Sequence, residues 1–594
     1  MKNQLSVTYL NGLLSLVFGL SVFLFFGYFY SCHLLYQEQY QMFLFTSAYM
    51  METIYRPGGL AEYIARFLTQ FYYVPWHGAL IIAFLLTLMQ RQIRAVVRHT
   101  GGRKAVWEPL SFLPPLFYWV LLCDENYMLT GVVSLAGVLL AFQGGLLIRT
   151  APFRLAYRLL LIPVLYVLTG GTALVFALLC IVSELGKGES GTGRRFFFMA
   201  GAALLLLLLT PLSASYVFTQ YPLAKLWTGA NYYRFPTLFP FPLLLLWLSV
   251  PGLAVLFKYL PAGGMGRMRS ALVHTLWQLA ALVFVTVWGL SRTADWEKEE
   301  VMRYDYCVRS GQWERLIRLA DEKAPGSPLS VSFLNLALCK QGLLPDRMFH
   351  YFQNGPEGLL PSFVRDFSLP MMAGELYYHL GFINTAQRFT FEAIEAIPDF
   401  QRSSRGIRRL AETNLLNGDY EVARKYLHLL QQTLYYRQWA TETLACLSDE
   451  KQIEARPDWA RLRKYRTKTD FFFSEGEKDM MLGILLQQDL SNRPAYEYLM
   501  AYCLLTKDLE HFYQYYPLGE NIPYQTLPVS YQEALVYLWG LSNRTMDHIP
   551  YPVSNEVKQR VQEYRRIYVG YTHAEPMLRK QFSDTYWYYF HFRK

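Results

Sequence analysis

The chain changes character at about residue 291, and that change limits what it can fold into. Before it lie apolar runs at 10–30, 71–90, 107–123, 127–147, 155–185, 196–212, 235–260 and 271–290. After it no such run recurs, and charged residues return at globular density. In lipid, an apolar stretch of roughly 20 residues satisfies its own backbone only as a helix. The sequence therefore predicts an all-α protein, with a polytopic helical membrane domain over residues 1–290 and a soluble domain over 291–594.

Charge divides at the same place. From Ser291 onward there are 37 Lys and Arg against 38 Asp and Glu, and before it 19 against 8. The pI near 9.0 thus reflects basic loops beside a membrane, and no nucleic-acid partner is expected. Four basic clusters mark one side: Arg91, Arg94, Arg98, Arg103 and Lys104; Arg149, Arg154 and Arg158; Lys187, Arg194 and Arg195; Lys258, Arg267 and Arg269. By the positive-inside bias that side is cytoplasmic. All four share it only if the run 155–185 is a hairpin, broken at Gly170-Gly171. The expectation is then about nine spans in a bacterial inner membrane, with the second domain extracytoplasmic. One kinked helix at 155–185 would give eight spans and a cytoplasmic domain. The first run lacks a small-residue cleavage pattern and reads as a retained anchor.

On the nine-span reading, the outer loops carry most of the polar chemistry. The first, at about 31–73, holds Arg56-Pro57-Gly58-Gly59, then Leu60, Ile64, Phe67, Leu68 and Phe71 at helical spacing. Such an amphipathic helix lies in the headgroup plane. Glu62 and Arg66, one turn apart, read as an ion pair. A second outer loop is only Asp124-Glu125-Asn126, and a third, at about 213–236, is aromatic and carries Lys225 and Arg234. Five of the eight acids before Ser291 (Glu38, Glu52, Glu62, Asp124 and Glu125) fall on this side. A charge at a span end is costly unless solvated or paired. Asp124 and Glu125 also suit a helix N-terminus, as cap and dipole complement. Arg56, Lys225 and Arg234 also suit headgroup snorkelling.

In the second half, helices of ten to fifteen residues are separated by short breaks. Gly311, Gly342, Gly381 and Gly418 each open a similar stretch: a turn, an aromatic or aliphatic residue, then a small residue such as Ala320, Ala386 or Ala423. This resembles degenerate tetratricopeptide (TPR) repeats, in which a small residue permits close helix crossing. No clean period continues past Lys451. The segment Tyr586-Trp587-Tyr588-Tyr589-Phe590 is too aromatic for a free tail. Cys307, Cys339, Cys446 and Cys503 read as small core residues. The segment 186–191 lacks the ending of a phosphate-binding loop and reads as a connector. No histidine spacing suggests a metal site.

Taken together, the membrane half resembles the C-type glycosyltransferase superfamily, in which acids sit on a first outer loop with an in-plane helix and on a short second one. That resemblance implies catalytic roles for Glu38 or Glu52 and for Asp124 and Glu125, and contacts from Arg56, Lys225 and Arg234 to a lipid phosphate. It further implies a polyprenyl-phosphate sugar donor, in some members a divalent cation, and a protein partner or acceptor on the TPR-like half. The whole layout, with Arg56-Pro-Gly-Gly-Leu-Ala-Glu-Tyr-Ile-Ala-Arg-Phe-Leu, also resembles an uncharacterised bacterial family of multispanning proteins with helical-repeat tails, which brings no activity. Two other classes compete: a non-enzymatic envelope scaffold built on the repeats, and a transporter, which would need buried charges beyond Glu184.

Overall fold

The computed structural model describes residues 2–593 apart from 103–104, 186–191, 236–238, 261–267, 399–401, 467–472 and 542–545. Among these residues every regular element is a helix, and the only bridge outside helices joins Tyr127 to Tyr233. Arg103, Lys104, Lys187, Arg267 and the connector 186–191 lie outside the described residues. The chain folds as two units. The first is Met1–Asp295 with Pro398–Ser404 and Gln432–Arg437; the second is Trp296–Ile397, Arg405–Gln431 and Gln438–Lys594.

Among the described residues, six helical stretches of the first unit are long and apolar enough to cross a membrane: Asn11–Phe29, Pro75–Gly101, Ala151–Glu184, Gly193–Val217, Phe241–Tyr259 and Thr275–Thr293. On Gly193–Val217 the exposed side chains include Phe197 at 74% and Leu204 at 60%, compatible with a membrane protein. The runs 107–123 and 127–147 yield shorter helices, Leu113–Leu121 and Thr130–Leu146. In the first of these, Pro109 lies within a 3-10 stretch, Ala105–Phe112, and Pro114 and Pro115 begin the α-helix. A proline removes a donor and is tolerated at a helix start but not in its interior.

The stretch Ala151–Glu184 folds back on itself. Its two helices, Ala151–Thr169 and Ala173–Glu184, flank Gly170–Thr172, and Gly170 has φ +73°. The Arg158 guanidinium meets the Glu184 carboxylate at 2.5 Å. On a straight helix these residues would stand roughly 39 Å apart, at 1.5 Å per residue. Lys258 Nζ donates to the carbonyls of Val182 and Leu185 at the same end. A second acid, the buried Glu108, is bound by Arg94, Arg98 and Asn11. Glu184 and Glu108 are thus each held by arginine.

The second unit repeats one helix–turn–helix geometry. Gly311, Gly342, Gly381 and Gly418 all have positive φ, between 67° and 105°. After each, the next amide donates to the carbonyl five residues back: Gln312 to Cys307, Leu343 to Leu338, Phe382 to Tyr377, Asp419 to Asn414, at 2.7–2.9 Å. This left-handed cap satisfies the last carbonyls of one helix and aims the chain into the next. A fifth copy lies at Lys507, with φ 62° and the Asp508 amide on Cys503. Ala320, Ala386 and Ala423 are buried, as are the four cysteines.

Two buried polar features tie this unit together. Arg405 binds Asp305 through two nitrogens, at 2.9 and 2.7 Å, and reaches Glu375; Arg409 bridges Glu375 and Glu412. Burial opposes the charge on Glu375, yet Arg409 and Arg405 hold its carboxyl far below the usual range. The aromatic terminus is part of the core: Tyr586 and Trp587 are fully buried, and the Tyr586 amide and Trp587 indole donate to Glu533.

Candidate functional site

The Arg56-Pro57-Gly58-Gly59 segment is a start signal for the helix Gly59–Thr69, and its glycines are sterically required. Gly58 sits at φ +76° as the cap, and its amide donates to the Val167 carbonyl at 2.8 Å. A Cβ on Gly58 would fall 2.5 Å from the Ala230 side chain, and one on Gly59 would fall 2.1 Å from the Thr53 carbonyl oxygen. Gly170 and Gly229 converge on the same spot: a Cβ on Gly170 would meet the Ala230 amide at 2.7 Å, and one on Gly229 would meet Gly170 Cα at 2.6 Å. Three distant loops therefore close around one residue, through backbones that only glycine permits.

This junction holds a charge cluster. Glu62, on the first turn of the helix, is fully buried. Its Oε1 accepts from Arg56 at 2.6 Å, from Arg66 at 2.5 Å and from the Asn231 amide at 3.3 Å. Lys225 Nζ donates to Asn231 Oδ1. Three cations thus surround one carboxylate. Burial raises the pKa of Glu62, but Arg66, Arg56 and Lys225 together outweigh it and hold the group below its ordinary value. The carboxylate is ionised at neutral pH and meets three cationic side chains.

Arg56 also faces outward. It lines a cleft of about 340 Å³ with Met51, Glu52, Tyr55, Phe218 and Tyr221. Glu52, one helical turn before Arg56, is exposed there. The lining pairs an apolar, aromatic wall with one carboxylate and one guanidinium. Such a surface suits a molecule with an apolar body and an anionic head. A divalent cation does not fit: Glu52 is the one carboxylate lining the cleft, and no group of three His, Cys, Asp or Glu converges anywhere among the described residues.

The chain belongs to DUF6057. That family's profile, described as a family of unknown function, matches residues 5–593. No curated protein and no solved structure matches the chain.

In this DUF6057 member, the candidate residues separate into three places. Glu52, Arg56 and Lys225 belong to the cleft and the cluster behind it. Glu38 is buried and accepts from the Tyr436 hydroxyl at 3.3 Å, close to the stacked pair Tyr73 and Tyr435. Arg234 is buried too, its guanidinium over the rings of Tyr36 and Tyr40. Its amide donates to the Asn126 carbonyl and its side chain to the Glu125 carbonyl. Asp124 accepts from the Asn126 amide at 2.9 Å, which forms the turn. Burial, with the charge of Asp124 nearby, pushes the Tyr233 hydroxyl up to about 12. These contacts give Asp124 and Arg234 roles in joining the short loop to the segment around Tyr233.

Sequence reasoning reached the Glu62–Arg66 pair but missed its centre. Asn231, 169 residues from Glu62, carries no motif of its own. The available signal was glycine: Gly58, Gly170 and Gly229 each precede or follow a turn, and all three have positive φ.

Proposed function

We propose that this protein is a membrane-embedded transferase of C-type glycosyltransferase architecture, drawing its sugar from a polyprenyl-phosphate donor at the extracytoplasmic face. The observation that carries this is the sharing of one cleft by Glu52 and Arg56, with the Glu62, Arg66 and Lys225 cluster directly behind. A lipid-linked donor cannot leave the membrane face, so an apolar wall beside a cationic floor is the chemistry it needs. In this reading Arg56, its charge reinforced by Arg66 and Lys225, stabilises the phosphate as the sugar–phosphate bond breaks. Glu52 accepts the proton of the acceptor hydroxyl as the new bond forms. Glu38, Asp124, Glu125 and Arg234 then shape the outer face rather than touch the reacting atoms. The reading includes nine spans, an inner-membrane location and an extracytoplasmic second unit. There the TPR-like helix pairs hold a protein acceptor.

The test is genetic and chemical. A deletion strain is rescued with wild type, Glu52→Gln or Arg56→Gln at matched membrane abundance, then analysed by intact-glycan mass spectrometry and lipid-linked sugar pools. Loss of a glycan with build-up of its lipid-linked donor, reversed by wild type and by neither variant, is the expected result. Full rescue by Glu52→Gln would remove the assigned base. An unchanged profile in the deletion strain would refute the transferase. It would leave the second reading, an envelope scaffold, which the five-fold recurrence of one helix–turn–helix geometry favours.

A further inference from the structure

The second unit contains a helical hairpin whose base is built into the core and whose tip is not. Its arms are Asn555–Gly570 and Glu575–Phe582. Val557, Tyr564, Leu578 and Phe582 pack with Val536 and Trp587 into one cluster. Beyond that cluster the chain runs out to Val569, 75% exposed, and Tyr571, 56% exposed, with Tyr568 and Met577 beside them. Exposed apolar side chains gathered at one turn mark an interaction surface more strongly than single ones scattered over a domain.

The charge around the tip is equally uneven. The domain as a whole is nearly neutral, yet 555–582 holds six Lys and Arg against three Glu. Arg565, Arg566, Arg579 and Lys580 are all exposed and flank the tip on both arms. An ion pair in this region, Arg560 with Asp584, lies towards the base. Apolar and tyrosine side chains at an apex, flanked by four exposed cations against the exposed Glu563 and Glu575, match the two layers of an anionic lipid surface. The apex enters the headgroup–acyl boundary and the cations meet lipid phosphates. Tyrosine in particular prefers that boundary, where its ring is apolar and its hydroxyl wet.

We infer that the hairpin tip at 565–580 docks on an anionic bilayer surface, namely the bilayer that holds the same chain. The charge complementarity argues for anionic lipid over a neutral surface. The chain's own apolar helices argue for its own bilayer, since a tethered surface is present at high effective concentration for every copy. Each cation held near such a surface strengthens attachment roughly fivefold, so four of them make the contact strongly dependent on salt and lipid charge.

The inference rests on the six apolar helices holding the chain in a bilayer, and the experiment separates the two ideas. The full-length chain carrying Val569→Cys is labelled with an environment-sensitive fluorophore and placed in nanodiscs of phosphatidylcholine with or without phosphatidylglycerol. Wild type treated with the same fluorophore, its seven cysteines all buried, reports background. Expected is an emission gain of at least twofold in the anionic discs, quenching by brominated lipid, and loss of both at high salt. The same loss is expected on combining Arg565→Gln, Arg566→Gln, Arg579→Gln and Lys580→Gln. Hydrogen exchange at 567–573 in the unmodified chain gives an independent reading, with protection in anionic discs alone.

Water-like emission with full exchange in anionic discs overturns the docking. So does an equal gain in discs of phosphatidylcholine alone, which would mean that lipid charge plays no part, or a gain only when anionic vesicles are added from outside. A chain that never assembles into discs overturns the membrane reading instead.

Discussion

Replacing Glu62 by Gln tests whether the charge cluster is organised as described. The carboxylate is wholly buried and receives Arg56 and Arg66 at 2.6 and 2.5 Å, with Lys225 close by through Asn231. Removing one partner of a buried pair leaves uncompensated charge and costs about 3–5 kcal/mol. Two features bracket the value. Three cations lose one anion, which pushes it up, while Arg56 keeps 18% of its side chain exposed, which lets water share the load. Unfolding in mixed detergent micelles, with Arg66→Gln and the double variant beside Glu62→Gln, supplies the cycle. The double variant is expected to lose at least about 1 kcal/mol less than the sum of the singles, because the two groups act on each other. The sign with pH follows from the depressed pKa. The stabilisation is complete above the ordinary carboxylate value of 4.5 and is lost as pH falls through the lower folded value. Glu62→Gln should abolish that acid-side loss. By contrast Glu52→Gln, at an exposed position, should stay within about 0.5 kcal/mol of wild type. A Glu62→Gln protein within that same margin, or strictly additive singles, would refute the reasoning.

Cysteines substituted for Arg158 and Glu184 should be joined by a flexible bismaleimide reagent that fills the gap the two long side chains now span; absence of that product in a folded protein would refute the hairpin. Gly418→Ala meets no atom closer than 3.7 Å and should cost only the left-handed backbone penalty, about 1–2 kcal/mol. Gly381→Ala should cost more, since Tyr465 lies 3.0 Å from the new Cβ; equal losses in thermal scans would show that the neighbour yields freely. Glu533, buried and raised to about 8, holds its proton in the folded state. Stability should therefore fall as pH rises from about 4.5 towards 8, and Glu533→Gln should flatten that slope in scans across the range.

How much of this was legible in the sequence depended on whether the signal was local. The change at about 291 is a matter of composition, and the two units meet in sequence at Asp295 and Trp296. The turn at Gly170-Gly171 and the four glycines from Gly311 to Gly418 were legible because a left-handed backbone favours one residue type. Lys507 hid the fifth turn because a lysine adopts the same φ there, its ammonium on the Arg593 carbonyl and near the Tyr589 ring. Long-range convergence was not legible. Nothing near Asn231 announces Glu62. Nor does anything near Tyr436 announce Glu38, 398 residues away, although Gln432–Arg437 belongs to the first unit. Ion pairing also escaped a count of charges: Arg94 and Arg98 read as loop cations in the sequence, yet both are bound to Glu108.

The unequal arms of the Ala151–Glu184 hairpin bear on how the protein responds to membrane thickness. Ala173–Glu184 is a helix of 12 residues, which rises about 18 Å against a hydrocarbon layer of roughly 30 Å. Val175, Phe176, Leu179 and Cys180 are fully enclosed by protein, so this arm has little lipid boundary to match. Gly193–Val217 is the opposite case, 25 residues long with its side chains largely outward. Thicker bilayers would therefore act through tilt of the long outer helix, while the short inner arm, clamped by Arg158 and Lys258, serves as a fixed post against which that tilt is measured.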